Sequence, residues 1–237
     1  MIRFICASIL ITGLALQSPA MTTGGTRPAL ELTEVYDWGT VRAPKSGYLT
    51  AEIRFRNGAE QGPLEILDVK PGCGCTTAEL GQKVLAPGEE TVVRVKLNIN
   101  ASQNGPLQRN VAVRSVHGSD TSQQSVTLKV DIQRLVSIAP AGFAAINDAR
   151  VGSPAKTTIT IVNPGMVPVA VSNVRADDGM TVDIPEAIVL APKEQRQVTL
   201  VYTPTKSGRF QSMLRFTSSD GKESDDIEIP TYGTALN

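Results

Sequence analysis

The sequence holds one histidine, one tryptophan and three cysteines, and it has no net charge: 23 Lys plus Arg balance 23 Asp plus Glu over 237 residues. Each scarcity excludes something. A balanced charge supplies no electrostatic pull toward nucleic acid or anionic lipid, and no basic run or cluster of aromatics interrupts it. With His117 as the one histidine and no Gly-rich loop opening a helix, neither a hydrolytic triad nor a phosphate loop finds its parts. Asp177-Asp178 and the Ser219–Asp226 stretch lack the ligand spacing of a calcium loop and read as acidic surface turns. Beyond residue 20 no segment has the run of about 20 apolar residues that a membrane helix needs. The expectation is a non-catalytic protein that uses no cofactor and binds no nucleic acid.

The first residues stand apart. Arg3 is followed by a stretch, Phe4 to Leu16, that is apolar except for Ser8, Thr12 and Gly13, and small residues close it at Ser18-Pro-Ala20. This pattern predicts a signal peptide over 1–20, a linker over 21–29, and export to the periplasm or the extracellular space with no integral membrane span after cleavage. Cys6 would leave with the signal, so Cys73 and Cys75 would meet oxidising conditions as the mature chain's pair.

What fills the remainder is alternation. Ile53 and Phe55, Leu64 and Ile66, Val93, Val95 and Leu97, Val111 and Val113, then Val126, Leu128, Val130 and Ile132 recur with period two. That is the signature of strands with one face on a core. Turn pairs such as Asn57-Gly58, Pro87-Gly88 and His117-Gly118 punctuate the strands, and no amphipathic helix of about ten residues interrupts them. The pattern then repeats. Pro63–Lys70 aligns with Pro168–Arg175, and Leu85-Ala-Pro-Gly-Glu89 with Leu190-Ala-Pro-Lys-Glu194, at one offset of 105. The fold class is therefore all-β, two tandem immunoglobulin-like sandwiches over 30–134 and 135–237. Seven strands are expected in the first copy, near 30–36, 48–56, 64–70, 82–86, 91–99, 109–116 and 125–134.

One loop carries chemistry. Lys70-Pro-Gly72-Cys73-Gly74-Cys75-Thr76 faces Asp178-Gly-Met180-Thr181 in the second copy, so the turn exists without thiols and the cysteines are additions to it. Three uses are open for Cys73 and Cys75, with Gly72, Gly74 and Thr76 as loop support. The pair can close a small disulfide, Gly74 permitting the bend and strain easing reduction. It can bind a soft ion such as Cu(I), whereas zinc would lack half its ligands. It can exchange disulfides, which requires a lowered thiol pKa for which Lys70 is the one nearby cation in sequence. The strand order places this loop at the end of the first domain that faces the second, near Asn163–Val167 or Ala191–Glu194, and His117 at the opposite end.

Asp37-Trp-Gly-Thr-Val41, Ile53-Arg-Phe-Arg-Asn57, Pro63-Leu-Glu-Ile66, Cys73-Gly-Cys-Thr76 and Leu85-Ala-Pro-Gly-Glu89 appear in that order. Over about residues 30–134 this resembles the bacterial domain of unknown function family 1573, itself similar to the ASH/PapD-like immunoglobulin modules. The resemblance implies an exported, non-catalytic module. The second domain is similar in framework and lacks the cysteines. The leading expectation is thus a structural or interaction protein that binds another cell-envelope or extracellular protein. The rival is an envelope carrier of Cu(I) or of redox equivalents through Cys73 and Cys75.

Overall fold

The computed structural model describes residues 28–237, which form strands and turns with no helix. The expected signal peptide and most of the linker lie outside these residues. The first domain contains β1 (Leu30–Leu32), β2 (Val35–Arg42), β3 (Tyr48–Asn57), β4 (Leu64–Pro71), β5 (Thr76–Leu80), β6 (Val84–Leu85), β7 (Glu90–Asn98), β8 (Gly105–His117) and β9 (Asp120–Gln133). They build a four-stranded sheet in the order β1-β3-β7-β5 and a five-stranded sheet in the order β2-β9-β8-β4-β6.

The alternating residues face each other between these sheets. Ala51, Ile53 and Phe55 of β3 and Val93 and Val95 of β7 meet Leu64 and Ile66 of β4, Val111 and Val113 of β8, and Val126 and Leu128 of β9, all at most 5% exposed. Burying each large aliphatic or aromatic side chain stabilises by roughly 1.5–3 kcal/mol, which is what drives the two layers together. A second cluster, Leu97, Ile99, Leu107, Val130 and Ile132, continues the core toward the junction end.

The strand count departs from seven for a local reason in each case. The expected first strand is two, β1 pairing with β3 and β2 running parallel to β9 in the other sheet. Glu34 stands where the alternation of Leu30, Leu32, Tyr36 and Trp38 asks for an apolar side chain, and it is exposed at the point where the chain changes sheets. Strand β5 has the right alternation, but Thr76 and Ala78 carry it, so its apolar signal is weak. The expected 82–86 strand shrinks to β6, two residues long.

The second domain repeats the first, element for element. It contains β10 (Ser137–Ala139), β11 (Ala144–Arg150), β12 (Ala155–Val162), β13 (Val169–Ala176), β14 (Met180–Val182), β15 (Ile188–Leu190), β16 (Gln195–Tyr202), β17 (Gly208–Ser219) and β18 (Ser224–Leu236). Their sheet orders, β10-β12-β16-β14 and β11-β18-β17-β13-β15, are those of the first domain shifted by nine elements. A separate core closes around Ile159, Ile161, Val171, Leu190, Leu200, Leu214 and Ile229.

One buried polar side chain anchors each copy. Asn57 Nδ2 donates to the carbonyls of Gly62 and Leu85, and its Oδ1 accepts from Ala59 N. Asn163 does the same with Val167, Leu190, Ala191 and Gly165 N. Both are fully buried and fully engaged, as an amide in a core must be. In sequence Asn57-Gly58 reads as a turn signal, and burial of the amide is what makes it an anchor.

The domains meet at a charged knot. Asp225, expected as part of an acidic surface turn, is instead 5% exposed. Its carboxylate accepts from Arg42 Nη2 at 3.1 and 3.2 Å and from Leu135 N at 2.7 Å, with Arg134 Nη1 at 3.9 Å. Arg134 also donates to the carbonyls of Gln103 and Asn100. Burial lowers the pKa of Arg134, an effect opposed by Asp225 and reinforced by Arg42. A carboxylate inside a domain boundary is tolerable only with partners of this kind, and here both arginines come from the first domain's side.

Candidate functional site

The cysteine loop is the crossover between the two sheets of the first domain. β4 ends at Pro71 in the five-stranded sheet, and β5 begins at Thr76 in the four-stranded one. Four residues therefore turn the chain from one layer to the other. Gly72 N donates to Asn110 O at 2.9 Å, and a Cβ on Gly72 would stand 3.2 Å from that oxygen, a tight contact. Gly74 has neither a left-handed φ nor any neighbour within 4 Å of an added Cβ. Thr76 N meets Cys73 O at 3.3 Å, and Asn98 N donates to Cys75 O at 2.8 Å, tying the loop to β7.

Cys73 and Cys75 are joined by a disulfide with Cα atoms 5.3 Å apart. Thr76, 4% exposed, lies beneath it with its Oγ1 at 3.4 Å from Cys73 Sγ and 3.8 Å from Cys75 Sγ. The two sulfurs have different surroundings. Cys75 packs against the cluster of Leu97, Ile99, Leu107, Val130 and Ile132 and receives a hydrogen bond from Arg109 Nε at 3.2 Å. Cys73 joins no apolar cluster. Lys70 is exposed on β4, so the cation at the sulfurs is Arg109 of β8.

Sequence reasoning missed Arg109 because it lies 34 residues from Cys75. The repeat held the clue. Val111 and Leu214 are equivalent, since Pro71 pairs with Val111 and Ala176 with Leu214. Two positions earlier, Arg109 therefore matches Ser212, just as Cys75 matches Met180. Cysteine and arginine were both placed in one copy only.

The loop lies at the junction end of its domain. Ile99, which shares the cluster with Cys75, lines a cleft of about 320 Å³ together with Gly47, Ser224 and Asp225. A neighbouring junction cavity of about 360 Å³ is lined by Arg42, Asn104, Arg134, Asn163, Pro164 and Val167. Of the two second-domain segments expected near the loop, 163–167 borders the junction cavity and 191–194 does not, and the cysteines themselves line neither cleft. His117 is at the far end, with its Nε2 at 2.8 Å from Gln61 O. Among the described residues no three His, Cys, Asp or Glu side chains come together as a metal site.

Residues 31–132 match the model of the family of proteins of unknown function DUF1573, and residues 134–225 match the model of the ASH family (abnormal spindle-like microcephaly-associated, ASPM-SPD-2-Hydin). The first domain is thus similar to the DUF1573 family and the second to the ASH family. No curated protein matches the chain. Among solved structures, the ASH/PapD-like domain 7 of human CEP192 is 12% identical, with a TM-score of 0.36, over 44% of this chain and 86% of that one. A protein of unknown function from Porphyromonas gingivalis W83 is 12% identical with a TM-score of 0.34, over 87% and 99% of the two chains. The periplasmic chaperone SfaE is 11% identical with a TM-score of 0.35, over 87% and 100%.

The cysteines, and the arginine that contacts one of them, belong to the first domain. The second domain turns its corresponding corner with Asp177, Asp178 and Gly179 and places Met180, 6% exposed, in its core where the first has Cys75. Among the described residues no helix is long and apolar enough to cross a membrane.

Proposed function

We propose that this chain is an exported, non-catalytic interaction module that binds another cell-envelope or extracellular protein on its second domain. The observation that carries the reading is an apolar strip beside an open sheet edge. Phe143 and Tyr232 are 48% and 45% exposed, with ring centroids 6.2 Å apart. Val151 and Leu236 extend the strip, and a groove of about 810 Å³ lined by Asp148, Arg209, Phe210 and Tyr232 lies alongside. Exposed paired aromatics next to a few charges have the composition of an interface core with its polar rim.

The adjoining strand, β11, is the outermost of its sheet. An extended segment of a partner laid along it would gain backbone hydrogen bonds and cover both rings at once. Domains of this type are typically non-catalytic, in keeping with that role. Export is the companion part of the proposal and rests on the signal-like start of the sequence.

The test combines location with contact. A photo-crosslinking residue at Val151 should capture a discrete envelope protein in growing cells. The double variant Phe143→Ser, Tyr232→Ser should weaken binding of that protein by about tenfold or more while leaving thermal unfolding close to that of the parent, since these side chains are exposed. Unchanged binding in the double variant, or a chain retained in the cytoplasm, would overturn the reading.

A further inference from the structure

We infer that the Cys73–Cys75 pair is a two-electron acceptor that oxidises dithiols of exported polypeptides, with Cys75 as the leaving thiolate and Arg109 as the residue that stabilises it. This stands on the cysteine loop of the first domain and is independent of the strip on the second.

The argument begins with what Arg109 gains in each redox state. A disulfide sulfur carries no charge and is a weak acceptor, so the 3.2 Å contact from Nε contributes little while the bond is closed. A thiolate in the same place would receive a charge-assisted hydrogen bond in a half-buried setting, about twice as strong as a neutral one. The Thr76 hydroxyl, beneath both sulfurs, can donate to the same anion. The surroundings therefore favour the reduced pair, which makes the disulfide a better oxidant. The same guanidinium disfavours a metal cation between the sulfurs.

The asymmetry of the pair sets the order of events. Cys75 is held against the apolar cluster and Arg109, whereas Cys73 is free of both. A substrate thiolate attacks Cys73 Sγ, a substrate–Cys73 bond forms, the Cys73–Cys75 bond breaks, and its electron pair leaves on Cys75 as thiolate facing Arg109. The second substrate thiolate then attacks the substrate sulfur of that mixed disulfide and expels Cys73, which takes up a proton. The substrate's two thiols end as one disulfide, having given up two electrons. One of their protons is matched by the one Cys73 gains and the other goes to solvent. A low-pKa leaving thiol speeds the first step.

A polypeptide fits better than a small thiol, because β5 starts at Thr76 and is the outermost strand of its sheet. An extended chain paired on β5 would run directly past Cys73.

The experiment uses the full chain and a reduced two-cysteine peptide, with glutathione as the small-thiol control. In the reduced protein, Cys75 alkylation by iodoacetamide should be half-maximal clearly below the ordinary thiol value of about 8.5. Arg109→Met should raise that midpoint by about one pH unit and slow disulfide transfer to the peptide by about tenfold, and Arg109→Lys should restore most of both. Acid-quenched mixed disulfide should map to Cys73, and the peptide should react faster than glutathione at equal thiol. A purely structural Arg109 would shift the unfolding midpoint and leave the alkylation profile unmoved. That result, an ordinary Cys75 midpoint, or trapping on Cys75 would overturn the assignment.

Discussion

The first and second domains share all nine strands, both sheet orders and a buried asparagine at the same corner, yet they divide their surfaces differently. The first places its added chemistry, Cys73, Cys75 and Arg109, at the crossover between its sheets. The second turns that crossover with Asp177, Asp178 and Gly179, buries Met180 where Cys75 stands, and exposes aromatics along an outer edge instead. A duplicated scaffold thus keeps what closes the core and varies what the core does not need. The cysteine loop can differ because backbone bonds to Asn110 and Asn98 hold it whether or not sulfur is present.

The sharpest way to break this equivalence is through the asparagines. Replacing either by Ala strands buried carbonyls and opens a cavity, so Asn57→Ala and Asn163→Ala should each cost about 3 kcal/mol in urea unfolding. The Asn163 variant should lose more, because it releases three carbonyls where Asn57 releases two. If one of them costs almost nothing, the corners are not the same device.

The junction comes next. Asp225→Ala leaves Arg134 buried without its carboxylate and leaves Arg42 with Glu223 as its remaining carboxylate, at an expected cost of about 2 kcal/mol, less than a wholly buried pair because Arg42 is 37% exposed. The two domains should then unfold in separate transitions and scatter X-rays as a more variable pair. A single unchanged transition would show that Asp225 does not couple them.

A smaller contrast lies in the Leu-Ala-Pro turn. Its fourth residue has positive φ in both copies, Gly88 at 77° and Lys193 at 63°. Glycine adopts this region freely and lysine does not, so Gly88→Lys should destabilise by about 1 kcal/mol. Lys193→Gly should stabilise by about 0.5 kcal/mol, the relief being partly offset by unfolded-chain entropy and by loss of the Lys193 contact with Pro164 O. Equal and negligible effects would mean the turn relaxes.

The smallest effect is one of pH. The hydrogen bond from Arg196, aided by the backbone N–H of Ala191, holds the Glu194 carboxyl below its ordinary value. A depressed folded pKa contributes stability that is complete above the unfolded value and is lost as pH falls through the folded one. Below about pH 4.5 the parent should therefore lose slightly more stability than Glu194→Gln, and carbon NMR of the carboxyl should titrate below that point. Coincident acid limbs would count against the contact.

Much of the fold was legible because each domain closes by burying alternate residues, and that period is written locally in runs such as Val126, Leu128, Val130 and Ile132. Strand β5 escaped because threonine and alanine carry its alternation, and the division of β1 from β2 hinged on one glutamate, Glu34. Of the site, the cysteine pair was visible as an exception to the repeat. Arg109 was not, since three strands, β5 to β7, separate it from Cys75 along the chain and the offset of the repeat changes between them.

Period, turn residues and internal duplication by themselves determined that this chain forms two β sandwiches with a thiol pair added to one. The three-dimensional arrangement alone decided that Arg109 meets Cys75, that Asp225 is buried between two arginines, and that Phe143 lies beside Tyr232. The physical reason is range. Burial of alternate side chains is specified residue by residue, whereas a contact between side chains distant in sequence depends on strand register, and register is set by how the whole core closes.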